Sequence, residues 1–154
     1  MSTSAYAINA PDQEEIRVVV MGFFAAWNRH DMKAFAELFA DDADWINTVG
    51  MHWRGKAAVV KAHEVFHRTI FQHTEMTPAA TEIRAVTSDV AVAVVTVKAG
   101  DFTTPEGERK TGTQDRLSLI LVKREGGWRL THGHNTVIDP KAQPFDPVDS
   151  GWTD

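Results

Sequence analysis

Four groups of side chains have types and spacings that could do chemistry. His63-Glu64-Val65-Phe66-His67 spells H-E-x-x-H; two imidazoles at i and i+4 share one helix face, where they could hold zinc with the glutamate as base. His73 stands at the third-ligand spacing of a metzincin, but Ile70 occupies the position where such a helix must break at glycine. A β-branched residue resists that backbone, which argues against a metzincin-type zinc site; His63 could still meet His132 or His134 from the last strand as a polar cluster or a metal site, or hydrogen-bond a single partner as a buried histidine. His132, His134 and Asn135 lie on the last extended run, and Asp115 on the run before it. A carboxyl next to imidazole is an acid–base pair, and an unpaired buried carboxyl carries a raised pKa. Asn47 supplies an amide beside Trp45, Met51 and Trp53.

The elements that must position these groups follow from periodicity. Pro11-Asp12-Gln13-Glu14-Glu15 is a helix start, since proline suits a first turn and carboxylates there complement the helix dipole. Ile16, Val19, Val20, Phe23, Phe24 and Trp27 then form one apolar helical stripe. Asp31 caps a shorter helix with Phe35, Leu38 and Phe39 on its face, and a strand is expected at 44–49. A third helix over 56–71 buries Val59, His63, Phe66 and Ile70.

Beyond residue 75 the period becomes two. Strands are expected at 81–86, 90–99, 109–123 and 128–138, with Glu125-Gly126-Gly127 as a hairpin turn. By parity Asp115 shares a face with Leu117, Leu119 and Leu121, while Trp128, Leu130, His132 and His134 share another. A bulge at Gly133 would instead turn Asn135 inward and His134 outward. The 90–99 strand is apolar on both faces, so a second subunit is the simplest cover for its outer face. The expected architecture is α+β: a curved antiparallel sheet packed on three N-terminal helices around a cone-shaped hollow. Residues 1–10 read as a disordered leader, 11–139 as one domain, and 140–154, with Pro140, Pro144 and Pro147, as an extended tail.

Composition narrows the function classes. Sixteen basic against 21 acidic residues, net −5 and without a block of like charge, exclude a polyanion partner such as nucleic acid. No apolar run reaches the ~18 residues of a membrane span. Cysteine is absent, which removes disulfides and thiol nucleophiles and fits a reducing, cytoplasmic setting. A glycine-rich dinucleotide fingerprint is also missing, so no organic cofactor is expected.

Ala26-Trp27-Asn28-Arg29-His30-Asp31, Phe39-Ala40-Asp41-Asp42-Ala43-Asp44, Asn47 through Trp53-Arg54-Gly55, His63, and Gly127-Trp128-Arg129-Leu130 with His134-Asn135-Thr136 together resemble the SnoaL-like branch of the NTF2-like superfamily, of SgcJ/EcaC type. The resemblance covers about 12–139. It implies a cystatin-like cone, a homodimer through the sheet, and a small hydrophobic ligand. The implied activity is cofactor-independent proton transfer on an aromatic or polyketide-like molecule, of isomerase or cyclase character. Ketosteroid isomerases carry an Asp base where this chain has Asn47, and an amide cannot take a proton at neutral pH. The alternatives are a non-catalytic ligand-binding or accessory module and a metal-binding cone. The expected catalytic groups are His63, Asp115 and His132; the expected ligand-binding groups are Trp45, Asn47, Met51, Trp53, Phe66, His67, His134 and Asn135.

Overall fold

A computed structural model describes residues 8–149. Helix α1 (Ala10–Asn28) begins where Asn9 accepts a hydrogen bond from the Asp12 amide, with Pro11 in the first turn. Its stripe from Ile16 to Trp27 is buried. Helix α2 (Met32–Glu37) is capped by the Asp31 carboxylate as expected, and α3 runs Lys56–Arg68. Within the expected leader, Ile8 is buried and Asn9 is the helix cap; residues 1–7 lie outside the described residues.

The sheet has six strands. They are β1 (Phe39–Ile46), β2 (His52–Arg54), β3 (Met76–Thr87), β4 (Val90–Ala99), β7 (Gln114–Arg124) and β8 (Gly127–Val137), ordered β2-β1-β8-β7-β4-β3. A separate hairpin, β5 (Phe102–Thr103) with β6 (Arg109–Lys110), takes the start of what reads as one long strand from 109. All joints in the large sheet are antiparallel except β1–β8, which is parallel, so the sheet is mixed. The parallel joint arises because β1 and β8 are distant in sequence and need no hairpin. Strand β3 starts five residues before its expected 81; Pro78 sits at a register shift on this edge strand, where a missing N–H is tolerated. The tail holds a short 3-10 turn at Gln143–Phe145 rather than running fully extended, and residues 150–154 lie outside the described ones.

Ala91, Ala93, Val95, Val97, Leu117, Leu119, Leu121 and Leu130 are buried and alternate with less buried neighbours, which defines the sheet's inner face against the helices. Phe23, Phe35, Phe39 and Trp45 fill the middle, with Phe23 and Trp45 stacked at 5.4 Å and 4°. One polar device ties the first turn of α1 to the sheet. Asp12 is buried and accepts from Trp128 Nε1 at 3.0 Å and from Lys123 Nζ at 2.9 Å. Those hydrogen bonds, Trp128 first and then Lys123, hold its carboxyl below the usual range.

Candidate functional site

His63 sits in the buried stripe of α3 because its neighbours at helical spacing are apolar. Its Nδ1 donates to the Val59 carbonyl one turn back, at 2.8 Å, which leaves Nε2 as the bare nitrogen of a neutral ring. Burial pushes its pKa from 6.5 to about 4. Three rings surround it: Phe35 at 4.8 Å, Trp45 at 5.5 Å and Trp53 at 5.7 Å. Trp53 also meets Phe66 at 5.7 Å, and both are half-buried.

Strand β8 carries its bulge at Thr131, two residues before the glycine where one is expected. Ile120 pairs with His132 and Leu121 with Leu130, so Thr131 is the extra residue. Inward alternation therefore restarts as Gly133 and Asn135, while His132 and His134 turn to the outer face. Gly133 is inward for a steric reason, since the Trp45 indole fills the space in front of it. Trp45 Nε1 donates to Asn135 Oδ1 at 3.0 Å, and Asn135 Nδ2 reaches Asp115 Oδ2 at 3.4 Å. Asp115 faces inward with Leu117, and burial, opposed only by the Asn135 bond, raises its pKa.

The pairing of His132 with Asp115 does not form, because the bulge puts them on opposite faces. His132 Nδ1 donates instead to Asp44 Oδ1 at 2.7 Å, and His52 Nε2 to Asp44 Oδ2 at 2.5 Å. Partial burial pushes the Asp44 carboxyl up, but the bonds from His132 and His52 outweigh it and hold it below its ordinary value. Asp44 and His52 were not legible as partners. The signal is the β1–β2 register, which sets Ile46 opposite His52 and Asp44 opposite Arg54, so that His52 shares the face of Asp44.

Asn47 is committed to the turn between β1 and β2: its Oδ1 accepts from Val49 N at 3.2 Å and Met51 N at 2.8 Å. Met51 and His134 are exposed. His67 points neither at Asp115 nor at the bulge; its Nδ1 meets Nδ1 of His30. Thus His63, Trp45, Trp53, Phe66, Asn135 and Asp115 form one connected inner set, and His132, His134, Asn47, Met51 and His67 stand apart from it. Two clefts lie on the helical side, one of about 470 Å³ that includes His67 and one of about 540 Å³ over Lys56, Lys61 and Glu64.

Three helices against a curved mixed sheet, with an aromatic wall and an inward carboxyl, define a cystatin-like cone of the NTF2-like class. The SnoaL-like domain profile matches residues 16–140, and the chain belongs to that family. It is similar to an uncharacterized protein with a cystatin-like fold from Caulobacter vibrioides, with 40% identity and a TM-score of 0.87 over 90% of this chain and 98% of that one. A domain of unknown function with a cystatin-like fold from Nostoc punctiforme shares 22% identity at a TM-score of 0.74, over 94% and 89% of the two chains. A ketosteroid isomerase-like protein from Erwinia carotovora atroseptica shares 18% at 0.70, over 86% and 100%. The last two likenesses are of fold. No curated protein sequence matches the chain. No helix among the described residues is long and apolar enough to cross a membrane.

Proposed function

We propose that the protein binds a small, flat, hydrophobic molecule, aromatic or polyketide-like, on its inner face and moves a proton on it without a cofactor. The observation that carries this reading is the continuous chain His63–Trp45–Asn135–Asp115. A bare imidazole nitrogen stands at one end and a carboxyl of raised pKa at the other, joined through one indole and one amide. Trp53 and Phe66 give the ligand a face to stack on. In a proton transfer on such a ligand, His63 Nε2 is the base that takes the α-proton from carbon, and Asp115, whose carboxyl burial shifts toward its protonated form, holds Asn135 and through it Trp45 in place.

The second reading is a binding module without turnover. Asn47, at the position of the isomerase base, is tied into a turn, which favours it. The two readings separate with two probes. Solvent deuterium exchange at the α-carbon of 2-tetralone reports proton transfer, and 2-naphthol, a flat enolate mimic, reports binding. Proton transfer requires accelerated exchange that falls at least tenfold in Asp115→Ala, while Asp115→Asn still binds 2-naphthol. Exchange unaffected by Asp115→Ala would end the catalytic reading, and naphthol binding with no acceleration would establish the module.

We also infer that two copies associate through the outer sheet face. Val90, Val92, Val94, Ile120 and Val122 form an apolar strip there that remains half-exposed in the single chain. The cysteine-free composition fits assembly in the cytoplasm.

A further inference from the structure

The Val59 carbonyl fixes more than the position of His63. A carbonyl oxygen only accepts, so the bond of 2.8 Å places the ring proton on Nδ1. Nε2, on the edge of the imidazole remote from the main chain, then carries a lone pair. Burial lowers the pKa to about 4 and keeps that lone pair unprotonated at neutral pH. The Val59 bond works against burial, and among the described residues no charged side chain shifts the ring either way.

Nε2 has no hydrogen-bond partner among the described residues, yet it is not sealed in. The buried side-chain nitrogen that is sealed without a partner is His67 Nε2, one turn further along α3. A small group can therefore reach His63 Nε2.

The chemistry of that group follows from its surroundings. Phe35, Trp45 and Trp53 lie at 43°, 87° and 75° to the imidazole plane, and together they surround it with aromatic surface. Trp45 Nε1 is already spent on Asn135, and Asn135 on Asp115. A lone pair in such a place is satisfied by a donor, an O–H or N–H. An anion finds no counter-charge there. His67 is neutral as well, its pKa pushed to about 4 by burial first and then by His30 and His63, and Asp115 is an acid. A cation meets one acceptor atom and leaves its other protons unpaired.

We propose that the inner-face ligand is an uncharged aromatic alcohol, a phenol or the enol of a cyclic ketone, that gives its O–H to His63 Nε2. This rests on the reading of the inner face as the ligand site and names the class of ligand. An enol is the ketone with its α-proton moved from carbon to oxygen. The nitrogen that takes the proton from carbon is thus the one that accepts the enol O–H. A phenol is an enol held in that form by its aromatic ring. An ether of similar shape keeps the oxygen but has no proton to give, and a site built around a hydroxyl rejects such an analogue.

The test measures equilibrium dialysis of probes that share one ring system against the full chain at pH 7. They are 2-naphthol, naphthalene, 2-methoxynaphthalene, 2-naphthoate and 2-naphthylmethylamine. 2-Naphthol is expected to bind at least tenfold more tightly than each of the others. In the chain labelled with nitrogen-15, it shifts the His63 Nε2 signal more than that of Nδ1, and 2-methoxynaphthalene leaves Nε2 in place. Affinity for 2-naphthol, which stays uncharged throughout, falls as pH nears 4 and the ring gains a proton, while that for naphthalene does not. His63→Phe brings 2-naphthol down to the level of the ether; should that variant not fold, the ring-nitrogen signals of the parent chain decide. Equal affinity for 2-naphthol and 2-methoxynaphthalene, with Nε2 unmoved, would overturn the hydroxyl contact and leave the inner face as an apolar binding site. Tighter binding of the naphthoate or of the naphthylmethylamine would overturn the uncharged class. Binding of none of the probes would remove the inner-face reading itself, and this inference with it.

Discussion

The indole of Trp45 occupies the place where a side chain at position 133 would stand. A Cβ built on Gly133 falls 2.1 Å from Trp45 Cζ3, and Trp45 is itself pinned by its stack on Phe23 and its bond to Asn135. Overpacking of this kind costs about 1–3 kcal/mol. Gly133→Ala therefore lowers the urea midpoint and, by moving Trp45, disturbs Asn135 and Asp115 as well. A midpoint within error of the parent protein would show that the indole is free to move aside.

Protonation of His63 sets an acid limit on stability. Its pKa falls from 6.5 to about 4 in the folded chain, so the unfolded chain binds the proton more readily. The stability this represents is complete above about pH 6.5 and is lost as pH falls towards 4, by roughly 3 kcal/mol for this group alone. Unfolding free energies of His63→Phe, measured from pH 8 to pH 4, fall less steeply than those of the parent. Parallel curves would contradict the burial of the neutral ring.

Asp12 acts at lower pH with the same sign. Its folded pKa is depressed below 3.8, so the stability it contributes is present above that value and lost as pH drops through the folded one. Asp12→Asn removes this limb of the acid titration while lowering stability at neutral pH. Trp128→Phe weakens the same clamp from the other side, because Trp128 Nε1 is the first of the donors to that carboxylate. A double-mutant cycle between the two that sums without coupling would show the contact to be incidental.

Asp115 has the opposite sign. Burial raises its folded pKa, so ionisation costs stability as pH rises from 3.8 through the folded value. Asp115→Asn consequently stabilises the chain at pH 7 while removing the dissociable proton. Loss of stability at pH 7 would mean that the carboxylate is already compensated.

Association through the outer face is checked by sedimentation. A charge placed in the strip, as in Val94→Lys, converts a dimer to a monomer without changing the inner face, since residue 94 alternates with the buried Ala93 and Val95. A sedimentation coefficient identical to the parent's would remove that strip from any interface.

The fold was written in periodicity. The stripe from Ile16 to Trp27, the cap at Asp31 and the alternation around Val90–Ala99 are local patterns, so the helices and the central strands were legible without long-range information. The same parity placed Asp115 inward with its leucines, and its raised pKa follows from that position. The faces of β8 were not legible, because one inserted residue at Thr131 reverses every side chain after it and leaves no composition signal. His132 therefore left Asp115 for Asp44, and His52 joined it only through the register of a hairpin. His67 and His30 lie 37 residues apart, and nothing between them announces their contact. Local sequence determines which way a regular element faces; which elements meet, and in what register, is decided by how side chains such as Trp45 fill the interior.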